Sequence, residues 1–216
     1  MLLPPEYGPE NLGENNILAM AAAAVDPSYI GWWSAASWHG FTTQRPMTVF
    51  VATKRQVPAK VIEGNDVRFV KVAERKFFGF DTYDVYGRDV AISSPAKTVV
   101  DCVDRPDLCG GPSELARIVY AALADIDPED LLNAAMMLKS KVVMQRLGFL
   151  ADLVGRQLPS DIRAAMRSAI PNSQRSSFGR PERKDGDIGY VSSWGLFVNA
   201  RESDLLAEVL APQSVS

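Results

Sequence analysis

Histidine is almost missing from these 216 residues: His39 stands alone, and cysteine occurs only as Cys102 and Cys109. A zinc or iron site wants several His or Cys ligands at defined spacing. His39 lies in Trp32-Trp33-Ser34-Ala35-Ala36-Ser37-Trp38-His39-Gly40 with no carboxylate nearby, and Cys102-x6-Cys109 has no partner ligands. No metal and no cofactor is therefore expected. The histidine reads as a helix-end residue that packs its ring and caps carbonyls. A Ser-His-Asp arrangement could use only that histidine, and no G-x-S-x-G turn is present. Neither a P-loop nor G-x-G-x-x-G occurs, and Gly110-Gly111 reads as a helix-entry turn. Long apolar runs are missing as well, so nothing approaches the roughly 20 residues that cross a bilayer. The longest, Ile17 to Val25, is short, alanine-rich and without a basic flank, which argues against a signal peptide. Two cysteines build no disulfide framework, and a reducing cytoplasm is the expected location.

What is present is the composition of an ordinary folded protein, 47% hydrophobic and 23% charged, long enough for one large domain or two small ones. The net charge of −3 argues against a chain built wholly to grip nucleic acid. That charge is unevenly spread. Residues 54–76 hold seven Lys/Arg against three acids, a local +4, and residues 161–184 hold six against two, again +4. Residues 101–130 hold eight acids against two bases, a local −6. Such asymmetry fits one anion-facing surface and another face for something else, although solvated helix faces give the same pattern.

Within the acidic stretch, Asp101, Asp104 and Asp107 could in principle bind magnesium for a nuclease. Asp101 and Asp104 share a helix face, but Lys97 lies on the same helix rather than on a neighbouring strand. An i,i+4 tie between Lys97 and Asp101 is the structural alternative. Arg68-Phe69 and Arg75-Lys76-Phe77-Phe78-Gly79-Phe80 have the texture of a base-stacking surface, whereas strand alternation would send Phe69 and Phe78 into a core.

Along the chain, Met1 to Glu14 reads as an extended arm. Asn16 caps a helix through Ile17, Met20, Ala21 and Ala24 that Asp26-Pro27 stops. Ser28 precedes a second short helix through Trp38, with Gly40 as its stop. Met47 to Ala52, Ala59 to Glu63, Val67 to Val72 and Tyr83 to Ile92 are β-branched or aromatic runs split by turn residues, which predicts antiparallel strands and hairpins. Beyond them Ser94-Pro95, Leu115, Asp127-Pro128, Val143 and Ser160 open or lie within five helical stripes. Residues 171–187 are polar, basic and punctuated by Gly and Pro, so a mobile loop is expected. Ile188 to Val198 returns to strand, and Asp204 to Leu210 reads as a last helix.

Three stretches resemble a known family. Tyr29-Ile30-Gly31-Trp32-Trp33-Ser34-Ala35-Ala36-Ser37-Trp38-His39-Gly40-Phe41-Thr42-Thr43-Gln44 is similar to the opening of the AbiEi antitoxin effector domain. Val49-Phe50-Val51-Ala52-Thr53 and Phe77-Phe78-Gly79-Phe80 resemble its strand and aromatic-glycine turn. Ser94 to Cys102, followed by Arg105-Pro106 and Cys109-Gly110-Gly111, resembles a third segment, and Trp194 to Asn199 is similar to its terminal strand. The resemblance is good over about residues 26–155 and is carried by the order of the motifs together.

That resemblance implies a non-catalytic antitoxin of a bacterial toxin–antitoxin system, tied to phage defence. Its partner would be a cognate nucleotidyltransferase-like toxin, countered directly or indirectly, and it would contribute to repression of its own operon. The family's repressor part is a winged helix ahead of the effector domain. This sequence opens on Leu2-Leu3-Pro4-Pro5-Glu6, which looks like the stretch just beyond that winged helix, so only weak promoter binding is expected here. An accessory DNA-binding role and a metal-dependent nuclease are the alternatives. The expected architecture is α+β: an N-terminal helical pair, a small antiparallel sheet, and a helical C-terminal half with a returning strand. Residues 1–14 form an arm, 15–200 the effector domain and 201–216 a tail. The residues expected to meet DNA or a partner are Arg75, Lys76, Arg163, Arg167, Arg175, Arg180, Arg183 and Lys184.

Overall fold

The computed structural model describes residues 17–210. Its architecture is α+β, and among these residues two sheets form. Helix α1 covers residues 17–23. Strand β1 (Ser28–Ile30) runs into α2 (Trp32–Trp38), followed by β2 (Thr48–Thr53), β3 (Lys60–Ile62), β4 (Asn65–Lys71), β5 (Phe80–Asp84) and β6 (Asp89–Ser93). These six strands make one sheet in the order β3-β4-β2-β1-β6-β5. Helices α3 (Pro95–Asp104), α4 (Pro112–Asp125), α5 (Pro128–Leu138), α6 (Lys141–Leu153) and α7 (Ser160–Ser168) come next. Strands β7 (Ser176–Gly179), β8 (Gly189–Val191) and β9 (Leu196–Asn199) form a second sheet, ordered β7-β9-β8, before α8 (Glu202–Leu210).

The large sheet departs from the expected antiparallel meander. The β2–β4 and β1–β6 pairs are parallel, so the sheet is mixed. Parallel partners are distant in sequence, and nothing in local periodicity records who pairs with whom. The segment after Ser28 also begins as a strand rather than as helix. Three residues between Pro27 and Gly31 are too few to show a period, yet Tyr29 and Ile30 point into different cores. One core, holding Ile30, Val51, Phe69 and Ile92, lies under α1; the other, holding Tyr29, Phe50 and Ala52, lies under the helices. Phe69 is buried as alternation requires, while Phe78 sits half-buried in a turn.

Helix α3 is the hub. Ser94 caps it by accepting from the Lys97 amide, Pro95 occupies the first turn, and every residue from Ala96 to Val103 is buried. It packs against α2, α4, α5 and α6. The glycine pair at the α4 entry has φ of +74° and +97°, a conformation only glycine adopts without strain. Gly148 on α6 is a different case: a Cβ there would lie 2.3 Å from the Trp194 indole, so the glycine makes the socket for that ring.

The small sheet docks on α6 through polar ties that the sequence did not announce. Gln145, fully buried, donates to Gly195 O at 2.9 Å and accepts from Ser176 Oγ at 2.7 Å. Arg146 bridges Val103 O and Ser177 O, both at 3.1 Å. Residues 171–187 are thus not the plain loop expected, because β7 lies inside them and pairs parallel with β9. The predicted strand from Ile188 to Val198 is instead the β8–β9 hairpin. Helix α8 confirms the expected last helix and rests on α4, where Arg117 donates to Glu208 O at 3.2 Å. The expected arm at 1–14, the Asn16 cap and the end of the tail lie outside the described residues. No helix among the described residues is long and apolar enough to cross a membrane.

Candidate functional site

Lys97 and Asp101 lie one turn apart on α3, where i,i+4 spacing lets their side chains meet. Lys97 Nζ lies 2.5 Å from Asp101 Oδ2 and 3.1 Å from Tyr29 Oη. The tyrosine hydroxyl in turn donates to Asp101 Oδ2 at 3.2 Å. Aromatic rings wall the group in. Phe80 stacks on Tyr29 with centroids 5.0 Å apart, Phe77 lies 5.2 Å away, and Lys97 Nζ sits 4.8 Å from the Phe78 centroid. Gly79 completes the wall at φ +67°, where a Cβ would press on the Lys97 stem at 3.2 Å.

Burial dominates the electrostatics here. It pushes Asp101 up, with attraction to Lys97 opposing, and pulls Lys97 down, with attraction to Asp101 opposing. Burial also lifts the Tyr29 phenol well above its usual range. Each partner is therefore the other's main source of stabilisation, as expected when desolvation outweighs pairing. Asp104 is engaged by Lys76 Nζ, and Asp107 is held by both Arg105 nitrogens at 2.7 and 2.8 Å. The carboxylates that a nuclease would offer to magnesium are thus each held by a cationic side chain. Among the described residues, no three His, Cys, Asp or Glu side chains gather where a metal ion could be held.

The other motif residues also turn inward. His39 caps α2, with Nε2 2.7 Å from Ser93 O, and burial pulls its pKa below the usual imidazole range. A neutral ring donating to that carbonyl fits both observations. Glu114, only 3% exposed, accepts from Trp33 Nε1 at 3.3 Å and from Thr42 Oγ1. A Cβ at Gly110 would sit 3.0 Å from the Trp33 ring. The first and third motif stretches are thereby interlocked. Sequence reasoning missed Tyr29 and Glu114, whose partners lie 68 or more positions away.

Bordering this network, with Lys97 itself in the lining, lies a cleft of about 500 Å³, bounded by Phe78-Gly79, the start of α3, and the α4–α5 junction. Phe78, Pro95, Ile126 and Met137 make its apolar part, and Asp81, Asp125, Asp127 and Asp130 line it with carboxylates. Part of the acidic stretch read from the sequence is gathered here. Its chemistry suits a cationic, partly aliphatic group.

The basic residues expected to meet a partner fall into separate sets. Arg75 donates to Leu138 O at 2.8 Å at the end of α5, and Lys76 pairs with Asp104. Arg163 grips Asp152 with two nitrogens, and Asp152 also accepts from Trp194 Nε1 at 2.8 Å. The Arg163 and Arg167 guanidinium groups lie 4.9 and 5.7 Å from the Trp194 ring. Arg175 lies 5.4 Å from the Tyr190 ring. Arg180 pairs with Asp187, and the Lys184 amide donates to the same carboxylate at 2.7 Å. Arg183 lies against Gly189. Among the described residues, Arg167, Arg175, Arg183 and the Lys184 ammonium have no carboxylate within ion-pair distance.

No curated protein matches the chain. Among solved structures, the RV2827C protein from Mycobacterium tuberculosis has a similar fold, with a TM-score of 0.61 and 14% identity, covering 91% of this chain and 71% of that one. The family described as AbiEi antitoxin C-terminal domain matches residues 29–153, from within β1 to the end of α6. That span covers more than half of the sequence and contains the large sheet, the α3 hub and the buried lysine–aspartate–tyrosine network, and the chain belongs to the AbiEi antitoxin C-terminal domain family.

Proposed function

We propose that the chain is the effector portion of a bacterial antitoxin that neutralises a nucleotidyltransferase-like toxin, without catalysis of its own, and contributes to autoregulation of its operon. The family match over residues 29–153 carries this reading. The geometry supports it from a second side. Tyr29, His39, Lys97 and Asp101, the chemically capable residues of the motifs, and Glu114 just beyond them face inward and hold the scaffold together. A partner would then meet surface features: the carboxylate-lined cleft and the arginines around the small sheet.

Promoter contacts would come from Arg167, Arg175, Arg183 and Lys184, with Arg75 as an auxiliary. Lys76, Arg163 and Arg180 already face carboxylates. Four or five such contacts on a chain of net charge −3 give weak duplex binding that falls steeply with salt. We place its action in the cytoplasm, where both toxin and operon are found.

Co-expression with a nucleotidyltransferase-like toxin from the same operon, if its neighbouring gene encodes one, tests the reading. Residues 1–216 are expected to restore growth, while the mobility of promoter DNA shifts only at low ionic strength. Growth arrest that persists despite stable, folded protein would sink the antitoxin assignment. Tight, salt-resistant, promoter-specific binding would favour the accessory DNA-binding role instead.

A further inference from the structure

The carboxylates around the cleft are only partly explained by the fold. Asp127 and Asp130 stand at the start of α5, Asp125 closes α4, and Asp81 lies on the edge strand β5. Asp127 caps α5 by accepting from the Glu129 amide at 2.9 Å, and Asp130 suits the positive end of that helix. Asp125 stands at the wrong end of its own helix: the last turn favours a base, and that of α4 has none. Among the described residues, none of the four carboxylates pairs with a Lys or Arg.

Among the described residues, Lys97 is the only basic residue in the lining, and its ammonium is held by Asp101 and Tyr29 at 2.5 and 3.1 Å. The negative charge of the cleft is therefore unmatched. Its walls are apolar: Phe78, Pro95 and Ile126 are half-buried, and Met137 keeps 55% of its surface in solvent. An exposed thioether chain conforms to whatever lies against it. Lys and Arg use both features, an apolar track for the stem and a polar end for the charged head. A space of about 500 Å³ is on the scale of a whole small ligand rather than of one side chain, so neighbouring residues of the same segment can enter with it.

We propose that this cleft docks a basic segment of a protein partner: the stem of a Lys or Arg lies along Phe78, Pro95 and Met137, and its head sits among Asp81, Asp125 and Asp130. Charge complementarity selects the occupant, since residues 101–130 carry a local −6 and a positive segment is steered to such a surface. The apolar wall selects further, because a bare metal ion has no use for it and an aliphatic stem does. Asp125 then meets the cation that its own helix does not supply. Naming the toxin as that partner rests on the antitoxin reading. The docking chemistry does not, and its readout needs no toxin, so the two fail separately.

Methyl NMR on residues 1–216 with ¹³C-labelled methionine tests it, using an acetyl-Lys-Leu-Lys-Leu-Lys-amide peptide as the probe. Its glutamate counterpart, spermidine and magnesium chloride are the controls. The Met137 resonance is expected to move saturably with the lysine peptide, while Met47, 86% exposed and outside the cleft, stays in place. Asp81→Asn/Asp125→Asn leaves the α5 cap intact and should weaken binding about threefold or more. Asp125→Lys should abolish it, and a base in the last turn of α4 suits the helix dipole, so unfolding would not be the cause. The proposal is overturned if Met137 does not move, if Met47 moves in step with it, or if these variants bind as well as the parent. It is equally overturned if the glutamate peptide, spermidine or magnesium shifts Met137 at the same concentrations as the lysine peptide. A Met137 shift that follows protein concentration alone would make a second copy the occupant and overturn it too.

Discussion

The two sheets solve the same problem in opposite ways. The large sheet is covered on both faces along its central strands, so Tyr29, Phe50 and Phe69, and the lysine–aspartate pair of α3 that packs on it, are removed from water. The small sheet is covered on one face only; two of its rings stay in contact with solvent, as does the Arg163–Asp152 pair on the helices beside it. A polar group in the first region is committed to the fold, because leaving it unpaired in the interior is costly. A polar or aromatic group in the second is available to a partner. The contrast separates scaffold from surface more sharply than charge counts do.

The largest effect is expected where a buried charge loses its partner. Asp101→Ala should destabilise the protein by about 3–5 kcal/mol in denaturant melts, because Lys97 is left buried and unpaired. Replacing both, as Lys97→Met with Asp101→Leu, should recover most of that loss, since apolar side chains need no desolvation. A single substitution that costs little would mean the pair is not the tie described, and the contrast between the sheets would fail.

Next comes the joint between the regions. Gly148→Ala drives a methyl group into the Trp194 ring and should cost about 1–3 kcal/mol, the usual range for overpacking. Unfolding followed at Trp194 should lose its coincidence with the far-ultraviolet signal if the small sheet detaches first. Unchanged stability would show that Trp194 can move aside.

A pH effect should arise from His39. Its folded pKa lies below the unfolded value, so the unfolded state binds the proton more readily. Stability from this group is complete above the usual imidazole range and is lost as pH falls through that range toward the folded value. His39→Gln should flatten the acid limb of the stability curve between about pH 7 and 5. An unchanged slope would locate the acid sensitivity elsewhere.

The smallest effects belong to the open region. Arg163→Ala removes a pair whose side chains are more than 30% exposed, and about 0.2–1 kcal/mol is the expected loss. A loss of several kcal/mol in urea titration would mean that the Trp194 stacking makes this arginine part of the scaffold.

Much of the helical half was legible in the sequence because its signals are local. Ser94-Pro95 and Asp127-Pro128 cap the helices they were expected to cap, and the apolar stripes of α3 to α6 are the buried faces. The sheet was less legible. Strand runs such as Thr48–Thr53 stand where they were expected, but the parallel β2–β4 pairing depends on chain crossing that no window of residues contains. β7 was read as loop for the same reason, since Ser176-Ser177-Phe178-Gly179 is a strand only because β9 lies beside it. In the candidate site, the Lys97–Asp101 contact was readable from spacing, whereas Tyr29, the third member, was not.

The sequence by itself determined the helix caps, the breakers, the buried stripes and the family to which the motifs belong, because each depends on residues within a few positions of one another. Only the tertiary structure decided which charges are scaffold and which are surface. Arg163 and Lys97 look alike in the sequence. One lies on a short helix beside a sheet with an open face, and the other lies beneath three phenylalanines on the helix that every neighbour covers. Burial depends on the whole chain, and burial sets the free energy of a charge.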